Sequence, residues 1–165
     1  MDPPETLSTV AEIALGLAGF TGLLVVLGRK PGRFSPSEAF RLLILLVASL
    51  SALFLALIPL VLHDSGLSGF VLWRVSSLIM AGSILASAGF LVRRVRSFQR
   101  SESEAYSPVI LVFISTGAGL VFVAQILNAS GVLGSPSPGA YSFGLLFFIA
   151  AGAVQFVRIL FVPSE

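Results

Sequence analysis

The sequence predicts an all-α protein: a polytopic transmembrane helix bundle of five spans, with the N-terminus outside and the C-terminus cytoplasmic. Composition, the length of the apolar runs and the charge of the loops each point there. Of the 165 residues, 56% are hydrophobic and 11% charged, and the mean hydropathy is +1.00. A soluble domain carries roughly a quarter charged residues. The apolar residues fall into five runs, at about 7–27, 39–62, 70–92, 108–127 and 140–161. Each is close to the ~20 residues a helix needs to cross a bilayer. Together they use most of the chain, so 1–165 reads as a single transmembrane domain.

The helix boundaries carry their own marks. The first span follows Asp2-Pro3-Pro4-Glu5 and stops at Gly28, ahead of Arg29 and Lys30. Ser35-Pro36-Ser37-Glu38 opens the second as a capping box with proline in the first helical turn. That span ends near His63, and Gly66 follows, where glycine accepts the left-handed conformation that closes a helix. The third starts near Phe70 and runs into Arg93. Ser107-Pro108 and Ser137-Pro138 open the fourth and fifth, and Gly131 closes the fourth. Five spans do not divide into two equal inverted halves, so the paired repeats of many transporters are missing.

Loop charge orients the bundle. Arg29, Lys30, Arg33 and Arg41 surround the first loop, and Arg93, Arg94, Arg96 and Arg100 fill the third. Residues 63–69 and 128–139, the second and fourth loops, hold no lysine or arginine. Cytoplasmic loops carry the excess of basic residues, so loops one and three are expected inside. The start of the chain has no basic stretch before its apolar run, so no cleaved signal peptide is expected.

Several function classes drop out. The absence of cysteine excludes disulfides, thiolate metal sites and cysteine nucleophiles. A single histidine excludes a multi-histidine metal site within one protomer. No metal or cofactor is expected. A net charge of +2, with arginines at loop positions and no soluble domain, gives no nucleic-acid surface. Ser76, Ser77, Ser83 and Ser87 have no base nearby in sequence, and serines in such helices usually bond their own backbone. Catalysis is not expected.

Glu12 is the informative residue. It interrupts an otherwise apolar or small stretch, and carboxylates at membrane depth cost kilocalories per mole and seldom face lipid. At 100° per residue Gly16, Gly19 and Gly22 fall near its side of the helix, and small residues let helices approach closely in lipid. Glu12 is therefore expected on the packed face, with the glycines serving helix packing. Ala48, Ala52 and Ala56 form a similar row on the second helix. With the N-terminus outside, Glu12, His63, Arg74, Gln125 and Asn128 all fall in the outer leaflet. They read as a polar intramembrane cluster, with a Glu12–Arg74 pair either lining an externally open cavity or fixing helix register.

The remaining polar residues have plainer readings. His63 beside Asp64 reads as an amphipathic helix end or an acidity sensor. Arg93, Arg94, Arg96 and Arg100 read as a juxtamembrane cluster touching anionic headgroups. Asn128-Ala129-Ser130 matches a glycosylation sequon by chance at a helix end.

The run 11–22, the Arg41-Leu42-Leu43 start of the second helix and the Trp73-Arg74-Val75-Ser76-Ser77 start of the third resemble a group of small bacterial inner-membrane proteins. The resemblance implies a multi-pass inner-membrane protein and brings no activity with it. Two function classes follow. One is a homo-oligomeric ion or proton channel or transporter with Glu12 and Arg74 in its pathway. The other is a non-transporting interaction protein, an accessory subunit or sensor whose small-residue helix faces bind another protein.

Overall fold

The structure is a computed structural model that describes residues 3–27, 36–98, 108–132 and 134–161. Its five helices are α1 (Pro3–Leu27), α2 (Pro36–Asp64), α3 (Gly69–Phe98), α4 (Pro108–Ser130) and α5 (Pro138–Phe161). All five are long and apolar enough to cross a membrane. Even α4, with 23 residues, extends ~34 Å at 1.5 Å per residue, against a hydrocarbon core of ~30 Å. The chain is all-helical and reads as a multi-pass membrane protein.

Helix ends follow their sequence marks where they are described. Gly66, at φ +92°, closes α2. Its N–H donates to the His63 carbonyl at 2.9 Å, and the Leu67 N–H reaches back to the Leu62 carbonyl at 3.1 Å. This is the Schellman arrangement, which satisfies carbonyls left over at a helix end and requires a left-handed residue at that position. Ser137 precedes Pro138 at the start of α5. Gly28, Ser35 and Ser107 lie outside the described residues.

The chain divides into two compact units. Unit 1 is Met1–Leu57 with Phe148–Glu165, and unit 2 is Ile58–Phe147. α2 and α5 each run from one unit into the other along the chain.

In unit 1, α2 contributes the densest core. Phe40, Leu45, Ala48, Ala52, Leu55 and Ala56 are buried there, with Phe148 from α5. Gly152 of α5 lies close to Ser49 and Leu45 of α2 and to Leu17 of α1. The Phe20 and Phe156 rings meet at 6.2 Å between centroids. The face of α1 that packs differs from the expected one. Leu7, Ala11, Ala14 and Thr21 are buried, while Glu12, Gly16, Gly19 and Gly22 are exposed. α1 carries small residues on two opposite sides, and the alanine side faces the core. Alanine's single methyl still permits a close approach there, without glycine's cost of ~1 kcal/mol in helix propensity.

Ser49 is fully buried, and its hydroxyl has no hydrogen-bond partner among the described residues. Burying an unpaired hydroxyl costs free energy, and alanine is the better helix former. Ser49→Ala is expected to raise stability by ~0.5–1 kcal/mol, read from unfolding in mixed detergent micelles. A loss of stability would show that Ser49 has a partner, such as an internal water.

Candidate functional site

Two polar features interrupt the apolar helices, one in each unit. The first is built at the end of α4, in unit 2. A helix leaves its last four carbonyls without donors, and hydrocarbon has no water to meet them. Leu127 O accepts from Ser130 Oγ at 2.9 Å. Asn128 O accepts from the N–H of Gly131, at φ +73°, at 3.3 Å. Ala129 O accepts from Arg74 Nε at 2.8 Å. Arg74 reaches over from the second turn of α3, which packs along α4. A cation also suits the negative end of a helix dipole.

Asn128 then joins α4 to the start of α5. Its Oδ1 accepts from the Ser137 N–H at 2.9 Å. Its Nδ2 donates to the Ser137 carbonyl at 3.2 Å and to Ser77 Oγ at 2.9 Å. The residue is only 8% exposed, so its amide is committed inside the fold rather than presented for glycosylation. One turn earlier, Gln125 Nε2 donates to the Ala140 carbonyl at 2.8 Å. Tyr141 is fully buried beside Trp73, with ring centroids 5.9 Å apart. Gly144 comes so close to Met80, Gln125 and Val121 that a Cβ there would collide with the Met80 sulfur.

The structure therefore brings Arg74, Asn128 and Gln125 together, and each donates to a backbone carbonyl. Arg74 is the only one of the three that carries charge, so the group has no ready proton acceptor. Its chemistry is that of a clamp, in which fixed donors close the α4–α5 connection against α3. Ser77, expected from the sequence to bond its own backbone, instead accepts from Asn128. The sequence reading missed Gly144 and Tyr141. A lone glycine three residues after a tyrosine in an apolar helix is the signal that close packing leaves.

His63 lies apart from this clamp. Its Nδ1 is 3.9 Å from Asp64 Oδ1, and the two side chains are 69% and 87% exposed. Exposed pairs of this kind contribute little. Among the described residues, no three histidine, aspartate or glutamate side chains gather as metal ligands.

The second feature is Glu12 in unit 1. It is exposed on α1 and makes no hydrogen bond or ion pair among the described residues. Around it lie Gly16, Gly19 and Leu23, all exposed. A Cβ added at Gly16, Gly19 or Gly22 would meet nothing within 4 Å. Near the other end of unit 1, Arg158 Nη1 donates to the Oε1 of buried Gln155 at 3.3 Å. Arg93 is exposed at the end of the α3 span; for Arg94 and Arg96 only the backbone is described, and Arg100 lies outside the described residues.

Comparison of the chain with protein-family models, with curated proteins and with solved structures finds no match.

Proposed function

We propose that this is a membrane interaction protein, an accessory or assembly subunit that docks through the Glu12 side of α1. The observation that carries the reading is an exposed carboxylate, with no partner among the described residues, inside a helix long and apolar enough to span a membrane. Placing an ionised side chain against lipid costs at least ~3 kcal/mol. Burying it against a donor on another protein removes that cost. The exposed glycines add a second argument. Each lowers helix propensity by ~1 kcal/mol, and within the chain no close contact needs them. Glycines on one face are what a tightly packed partner helix uses.

The positive loops orient the protein with its N-terminus outside, so the Glu12 face belongs to the outer leaflet. Together with the resemblance, this favours a bacterial inner membrane. A channel or transporter would draw on Arg74, Asn128 and Gln125 to line its path. Those side chains are already engaged in closing α4 onto α5 and α3, which weighs against conduction.

The test compares particle mass after polymer extraction from native membranes for wild type and Gly19→Leu. Gly19 is exposed and a Cβ there meets nothing within 4 Å among the described residues, so folding should survive. We expect wild type in particles heavier than one chain and Gly19→Leu largely as single chains with unchanged helix content. Wild type running as a single chain would refute docking. Ion or proton flux in proteoliposomes that Glu12→Gln abolishes would replace docking with conduction.

A further inference from the structure

Resting on that docking reading, we infer that the partner is a second copy of this chain, and that Glu12 of one copy pairs with Arg74 of the next. The argument is charge complementarity at matched depth. Glu12 is exposed and has no partner among the described residues. Arg74 is also exposed, and only its Nε is used, in the bond to Ala129 O. Its terminal Nη groups make no hydrogen bond among the described residues, and they are the part of a guanidinium that grips a carboxylate.

Depth follows from the starts of the two helices. Glu12 lies 9 residues after Pro3, which opens α1, and Arg74 lies 5 residues after Gly69, which opens α3. At 1.5 Å per residue the two differ by ~6 Å, within the combined reach of a glutamate and an arginine side chain. Two copies inserted in the same orientation therefore bring an unpaired acid and a half-used arginine to one level of the bilayer. Copies in opposite orientations would not. Same-orientation copies assemble about an axis along the membrane normal, so the pairing gives a closed ring or a two-fold dimer. The exposed Gly16 and Gly19 set the approach distance, and the charged pair sets the register.

Arg74 thus has two tasks, with Nε holding the end of α4 and the Nη groups, one of them beside Gly131, left for the carboxylate. That division matters for the test, because removing Arg74 also disturbs the fold. The chain has no cysteine, so single introduced cysteines report without background. Arg74 is therefore kept, and the second cysteine goes to exposed Leu78, one turn along α3: Glu12→Cys and Leu78→Cys would be placed in separately tagged copies, co-expressed, and treated in membranes with a short bis-thiol reagent. The expected result is a mixed Glu12→Cys with Leu78→Cys dimer, at a yield severalfold above either homotypic dimer. Glu12→Gln, which leaves intrachain bonding untouched, should weaken self-association by about tenfold with its unfolding curve unchanged.

Other outcomes overturn the inference in distinguishable ways. Homotypic Glu12→Cys dimers would place α1 against α1, ending the Arg74 pairing while leaving self-docking through this face intact. A doubly substituted chain that cross-links at single-chain mass would place the pair within one protomer and end both claims. No mixed dimer, with a different membrane protein cross-linked at Cys-substituted position 12, would keep docking and remove the second copy as partner. No cross-linking to any protein would remove both.

Discussion

Asn128→Leu is expected to loosen unit 2 by ~2–3 kcal/mol. Leucine keeps the branching of asparagine but is the bulkier side chain, so no cavity is left and some crowding adds to the lost hydrogen bonds. Three are lost: two from Nδ2, to Ser137 O and Ser77 Oγ, and one into Oδ1 from the Ser137 N–H. A typical net hydrogen bond is worth ~1 kcal/mol, and interhelical bonds in membranes average ~0.6 kcal/mol with a maximum near 1.7. The Ser137 N–H is hit hardest, because it loses the Asn128 acceptor, whereas the Ser137 carbonyl still caps the first turn of α5. Ser77→Ala removes one bond only and should cost no more than ~1 kcal/mol. The measurement is unfolding in mixed detergent micelles followed by helical signal. An Asn128→Leu curve within ~0.5 kcal/mol of wild type would mean that the clamp is ornamental to stability.

Gly144→Leu is expected to cost a similar amount, through overpacking. A side chain at 144 enters space held by the Met80 sulfur, by Gln125 Nε2 at 2.9 Å and by Val121 Cγ1 at 3.2 Å. Inserting atoms into a filled site typically costs ~1–3 kcal/mol. Displacing the Gln125 amide also endangers its bond to Ala140 O. Gly144→Ala should lose less, because Met80 is flexible and alanine returns ~1 kcal/mol of helix propensity. Shortening Met80 in the Gly144→Leu background should restore part of the loss, since the two sites share one space. Gly119→Ala is the control. A Cβ there meets nothing within 4 Å, so stability should rise or hold. Equal effects at 119 and 144 would remove the close-packing account.

Helix existence was legible in the sequence because a spanning segment must be long, apolar and closed at its ends. Gly66 and Gly131 were readable as helix ends because the left-handed turn they make excludes most side chains. Facing was much less legible. Lipid and protein core are both apolar, so exposed Phe20 and Leu23 look no different in sequence from buried Leu7. With alanines on one side of α1 and glycines on the other, small-residue spacing could not choose between them. A charged residue was the natural tie-breaker, and it pointed the wrong way within the chain because Glu12 lies on the exposed side. The roles of Arg74 and Asn128 were hidden for a different reason. Their partners are backbone groups of Ala129 and Ser137, and backbone leaves no mark in a sequence.

The central claim is that another protein covers the Glu12 side of α1 in the membrane. Leu23 lies on that side and is 53% exposed in the chain, while Leu120 of α4 is 67% exposed. The most direct measurement places a nitroxide at each position, on introduced cysteines, and reads collision with oxygen and with a water-soluble paramagnet. Position 120 should be open to oxygen, as a lipid-facing site is. Position 23 should be shielded from both reagents. Oxygen access at 23 equal to that at 120 would mean that the face meets lipid, and access to the water-soluble reagent would mean that it lines a pathway; either result contradicts the account.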